Sequence, residues 1–149
     1  MDLDSVREGL ALAIPFNRHL GLEVTELTPG RGVVVLPDSQ ALRNHVGTQH
    51  AAGLFAAGEA ASGAAFASIF ADRLADITAL ASEASISYRK LARGPIAATA
   101  RLDADVAALR ARLDAERSVR FTVAVELTNP PGDVVAEMRV GWHVSLRDA

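Results

Sequence analysis

The 149 residues suffice for one domain with a real core. Half are apolar, with Ala dominating that half, and a formal charge of -3 gives no global attraction to nucleic acid. There is no Cys, which excludes disulfides, thiolate metal sites and a Cys nucleophile.

The N-terminal stretch MDLDSVREGLALAIP starts acidic and lacks the positive region of a signal peptide, so a soluble cytoplasmic protein is expected. Asp4 to Ile14 reads as an amphipathic helix with Val6, Leu10 and Ile14 on one side and Pro15 as its stop. Leu22 to Leu27 and Val33 to Leu36 read as strands joined by the turn Thr28-Pro29-Gly30-Arg31-Gly32, and Asp38 to Thr48 as a loop. A long helix of small and apolar residues follows, Ala51 to Phe70. Its apolar run is broken by Glu59, Ser62 and Gly63, so no membrane-spanning segment is expected.

Ile77 to Tyr88 reads as a strand with Thr78, Leu80, Ser82, Ala84, Ile86 and Tyr88 on one face. After the turn at Gly94-Pro95, Ile96 to Leu102 returns as another strand. Asp103 to Arg117 is a charged helical segment with Val106, Leu109 and Leu113 at helical spacing. The alternation Val119, Phe121, Val123, Val125, Leu127 resumes after Asn129-Pro130-Pro131-Gly132-Asp133 as Val134, Ala136, Met138, Val140, Trp142, Val144, a hairpin with one buried face. No repeat or linker interrupts the chain, so one α+β domain over residues 1–149 is expected, with an antiparallel sheet wrapped around a long central helix.

The central helix carries one carboxylate, Glu59, with Phe55 four residues before and Phe66 seven after on the same stripe. Burial there raises a carboxylate's pKa and makes it a candidate base or nucleophile. The other reading makes Glu59 a cap or an ion-pair partner for an Arg of a neighbouring element. Upstream, Asn44, Gly47 and His50 place an amide, a turn and an imidazole before the helix N-terminus, where backbone N–H groups are free. His50 also reads as a helix cap, and Asn44 as a turn-forming residue. The four His, at 19, 45, 50 and 143, have no zinc-site spacing, so neither metal nor cofactor is expected.

The segment NHVGTQHAAGLFAAGE, with PFNRHLGLEVTELTPGRGVVVLP before it and ISYRKLARGPIAATARL after it, resembles the hotdog-fold acyl-CoA thioesterases of the PaaI-like group, most closely the DUF4442-type branch. The resemblance covers nearly the whole chain. It rests on Asn44, Gly47, His50 and an acid nine residues after the His, Glu59. It implies a hotdog fold, an acyl-CoA substrate, and a homodimer or homotetramer whose sites lie between protomers, Asn44 of one facing Glu59 of another; neither nucleic acid nor membrane is implied as a partner. Two features depart from the commoner pattern. His50-Ala51-Ala52 replaces His-Gly-Gly, and Ala81 stands where some relatives carry Ser or Thr, with Ser82 and Ser85 nearby. Asp103 to Arg117 is longer than the turn of shorter relatives but suits the DUF4442 branch.

The resemblance gives each residue a role. Glu59 would act as base or nucleophile. The Ala51 N–H would hold the thioester oxygen as it gains charge. Asn44 would orient water or the carbonyl, and His50 would position the loop or touch the thioester. Gly47 and Ser82 would contact substrate, and Arg89, Lys90 and Arg93 would meet the CoA phosphates. The alternative function is a hotdog protein that binds an acyl thioester or lipid without turnover. Hydratases of the fold use a His and Asp pair in a differently spaced motif, which this sequence lacks.

Overall fold

The computed structural model describes residues 1–148; Ala149, the last residue of the expected domain, lies outside the described residues. Helix α1 (Leu3–Ala13) starts on Asp2, whose side chain accepts from the Ser5 N–H. Pro15 ends α1 and also opens a short helix α2 (Pro15–His19), since proline's fixed φ suits the first helical position. Strands β1 (Glu23–Thr28) and β2 (Arg31–Leu36) form a hairpin whose turn is shorter than the five residues expected. Thr28 pairs with Arg31, so only Pro29 and Gly30 bridge them, and Gly30 takes φ +74° to close the turn.

A 3-10 turn over Gln40–Leu42 interrupts the expected loop. Helix α3 (Ala51–Ile69) follows, then a 3-10 stretch over Ala71–Asp76, β3 (Ile77–Tyr88), β4 (Ile96–Arg101), α4 (Val106–Glu116), β5 (Ser118–Thr128) and β6 (Val134–Leu146). The six strands form one antiparallel sheet in the order β1-β2-β4-β5-β6-β3. The helix α3 lies on its inner face.

The β5 alternation is realised residue by residue: Val119, Phe121, Val123, Val125 and Leu127 are buried while Arg120, Thr122, Ala124 and Glu126 face outward. The composition of α3 explains how closely the sheet wraps it. A Cβ at Gly32 would lie 3.0 Å from Ala64 Cβ and 3.1 Å from the Ala61 carbonyl, and a Cβ at Gly58 would collide with Met138 Sδ. By length and hydropathy alone α3 could cross a membrane, against the sequence expectation, because Glu59 is its sole charged residue. In the fold 72% of that apolar window is buried by the sheet.

One face assignment is corrected. A bulge at Ser82, between the pairs Ala81–Trp142 and Glu83–Gly141, reverses the alternation of β3. Ala79 and Ala81 therefore share the inner face with Ala84, Ile86 and Tyr88, while Thr78, Leu80 and Ser82 point outward. The α1 stripe also fades along its length: Val6 is buried, Leu10 half-buried and Ile14 exposed. Helix α4 seats Leu109 and Leu113 in the core. Its Arg110 clamps the end of α3, donating to the Ile69 carbonyl at 2.9 Å and to both Asp72 carboxylate oxygens.

Candidate active site

The segment before α3 is folded on itself by Asn44. Its Oδ1 accepts from the N–H groups of Val46 (3.1 Å) and Thr48 (3.0 Å), and its Nδ2 donates to Thr48 Oγ1 (2.9 Å) and the Gln49 carbonyl (3.3 Å). Both ends of the amide are thus committed to the loop, as an Asx turn requires. Gly47 sits at the tip with φ +80° and open space where a Cβ would be. Gln49 fastens this loop to the sheet: its Nε2 donates to the carbonyls of Pro37 (2.9 Å) and Gly94 (3.0 Å).

His50 is the N-cap of α3, with Nδ1 accepting from the Ala52 N–H at 2.9 Å. This places the proton of a neutral ring on Nε2, at the exposed side. The N–H groups of Ala51 and Gly53 have no protein partner among the described residues. They form the positive end of the helix. Tyr88, on the inner face of β3, donates its hydroxyl to the Ala51 carbonyl at 3.1 Å and steadies that first turn.

Glu59 stands two turns further on, roughly 12 Å along the helix axis from Ala51. Within one chain the structure therefore brings Asn44, Gly47, His50 and Ala51 together but holds Glu59 apart from them. Glu59 is partly buried and has no ion pair or side-chain hydrogen bond among the described residues. Loss of hydration pushes its carboxyl above the ordinary value of 4.5. The cap and ion-pair readings of this residue find no partner here. Phe66 joins the buried cluster with Trp142 and Phe121, but Phe55, expected on the same apolar stripe, is 38% exposed.

Among the described residues, Glu59 is the one charged side chain lining an apolar cavity of about 160 Å³. Its walls come from α1 and its C-cap (Leu10, Ile14), the residue before β1 (Leu22), β1 and β2 (Val24, Val34), and Phe66 and Trp142. The contribution of α1 was hidden in the sequence, where its apolar stripe read only as a packing face. In that wall the Trp142 indole N–H donates to Ser62 Oγ (3.0 Å), and that hydroxyl donates to the Glu59 carbonyl (2.7 Å).

The remaining candidates lie elsewhere. Ser82 is on the outer face at the bulge, donating to the Gly141 carbonyl at 3.1 Å, so it does not reach the Glu59 cavity. Arg89 pairs with Glu137 at 3.0 Å and Lys90 with Asp133 at 3.7 Å, both exposed. Arg93 is exposed, with no ion pair among the described residues.

Comparison with known proteins places the fold. The model of a domain of unknown function, DUF4442, matches residues 4–144. No curated protein matches the chain. A Pseudomonas aeruginosa protein of unknown function, named a probable thioesterase, is 26% identical, with TM-score 0.85 over 99% of this chain and 97% of that one. The PaaI protein of the Escherichia coli phenylacetic acid degradation operon is 17% identical, with TM-score 0.74 over 95% and 91%. A mutant thioesterase enzyme from Staphylococcus aureus is 16% identical, with TM-score 0.73 over 89% and 99%. The sheet wrapped around α3 is the hotdog fold, as the sequence resemblance implied.

Proposed function

The chain belongs to the DUF4442 family, and on that premise we propose that it is a thioesterase that hydrolyses an acyl-CoA to the free acid and CoA, with Glu59 as base or nucleophile. One observation carries the reading: an unpaired carboxylate of raised pKa is the sole charged group in an apolar cavity among the described residues. A structural ion pair would show a cation, and a pure lipid slot has no use for a desolvated acid. The likeness to a probable thioesterase at 26% identity supports the same chemistry.

Hydrolysis adds water to the thioester carbonyl. Glu59 takes the proton from that water, or attacks the carbonyl itself to form an anhydride that water then opens; in either route the C–S bond breaks, CoA leaves as its thiolate, and the proton released from water ends on that sulfur. The oxygen that gains charge needs N–H donors, and the free Ala51 and Gly53 groups at the α3 N-terminus are of the right kind. They lie too far from Glu59 of the same chain, so the active unit is a homodimer in which the loop of one protomer faces the acid of the other.

Strand β3 supports that assembly. It has twelve residues at the sheet edge, with Leu80 and Tyr88 exposed and no strand beyond it among the described residues. In this unit Asn44 and Gly47 shape the oxyanion loop, His50 caps the helix that supplies the donors, and Arg93, alone of Arg89, Lys90 and Arg93 in having no ion pair among the described residues, meets CoA phosphate. The test is thiol release over a panel of acyl-CoAs. Release well above the uncatalysed rate, lost in Glu59→Gln, is expected; binding of acyl-CoA without any release would replace the reading by a non-catalytic acyl binder.

A further inference from the structure

The cavity beside Glu59 is small, and its Trp142 wall is tethered in place. A dry cavity of about 150 Å³ takes one benzene, six carbon atoms; this one measures about 160 Å³. The Phe66 and Trp142 rings pack together in its wall, with centroids 4.8 Å apart. The Trp142 indole cannot swing away without breaking its bond to Ser62, which is fully buried. A longer chain would therefore have to displace a tethered indole, lift α1 or leave its excess carbons outside the cavity mouth.

Gly63 lies one helical turn from Glu59 on the same side of α3 and lines the cavity. A Cβ there would meet Trp142 Cζ2 at 3.6 Å and Cη2 at 3.7 Å, ordinary contact distances. The helical backbone needs no glycine at this point, and alanine would favour the helix more. What the glycine leaves is volume beside the indole.

Resting on the thioesterase reading, we infer that the substrate is a short acyl thioester of about six acyl carbons, and that Gly63 and Trp142 set this limit.

The experiment has two arms. In the first, binding of S-alkyl-CoA thioethers with two to fourteen alkyl carbons is measured by calorimetry on the whole chain. Affinity is expected to rise about fourfold per methylene, the ordinary gain from burying one, and to level off near six carbons. A rise that continues through ten carbons overturns the inference while leaving the thioesterase reading intact. In the second arm, kcat/KM for hexanoyl-CoA over that for acetyl-CoA is compared between the native chain and Gly63→Leu. The ratio is expected to fall at least tenfold, and it does not depend on how much of the variant is folded. An unchanged ratio removes Gly63 from the limit; Gly63→Ala, which should fold at least as well, must shift the ratio in the same direction by less. If no acyl-CoA is hydrolysed but the thioether ladder still levels at six, hydrolysis fails and the acyl limit stands. If the ladder does not bind at all, the inference fails.

Discussion

Trp142 and Ser62 meet in the interior, the indole N–H donating to the hydroxyl at 3.0 Å across 80 residues of sequence. The same hydroxyl donates to the Glu59 carbonyl at 2.7 Å. Ser62→Ala would leave the buried indole N–H with no acceptor, which costs about 1–3 kcal/mol. Trp142→Phe removes that donor, so Ser62→Ala should cost clearly less when made on top of Trp142→Phe. Denaturant unfolding of both single variants and the double variant checks this; additive losses would show that the bond carries no energy of its own.

Gln49 is the pin between the Asn44 loop and the sheet, and it is buried with its Oε1 unpartnered among the described residues. Gln49→Leu strands the Pro37 and Gly94 carbonyls and should cost about 1–3 kcal/mol. Gln49→Glu should be worse at neutral pH, because a buried carboxylate would then face two carbonyl oxygens. In acid the protonated Glu regains one donor, so the two variants should converge. Thermal melts at neutral and acid pH read the comparison; a Glu variant as stable as the Leu variant at neutral pH would contradict it.

Strong periodicity made most of this fold legible. The β5–β6 hairpin followed from alternation, α3 from its run of small residues, and α4 from Val106, Leu109 and Leu113. The bulge at Ser82 was not legible, because nothing in ITALASEASISY marks where one residue is left unpaired. That slip put Ser82 on the wrong face. In the site, Glu59 stood out because one acid among Ala and Gly is a strong signal. The cavity did not, because its walls come from elements distant in sequence, α1, β1 and β6. The roles of Asn44 and His50 as loop and cap builders were visible as alternatives, and hydrogen-bond partners were needed to display them.

The edge strand β3 yields a third prediction. The proposed homodimer should sediment as such at micromolar concentration. Leu80 is 64% exposed on that strand, and Leu80→Lys places like charges near one another in a two-fold pairing of edges. Mass should shift toward the monomer, and thiol release should fall with it, since one chain separates its acid from its N–H donors. A native chain that stays monomeric, or a monomeric variant with undiminished turnover, would rule out the shared site.

The Glu59→Gln variant tests chemistry and burial together. Gln keeps the size of the side chain and removes its basicity. Turnover should fall by about two orders of magnitude or more, the ordinary scale for losing a general base. Binding of a thioether analogue should change little, since the proton is taken only in the reaction itself. The stability effect has a definite sign. Burial raises the folded pKa of Glu59 above its ordinary 4.5, so the folded state holds this proton more tightly than the unfolded chain. That contribution is fully present below the unfolded pKa and is lost as pH rises through the folded one. The native chain should therefore lose stability relative to Glu59→Gln as pH climbs from about 4.5, and the gap should level off once the carboxylate is ionised in the fold. The acid limb of the pH–rate profile should be shifted in the same direction, above the ordinary 4.5, because the ionised form is the base. Melting curves and rates over one pH series measure both. A Gln variant that melts earlier than the native chain at neutral pH would mean that Glu59 holds a partner, and undiminished hydrolysis would remove it from the reaction.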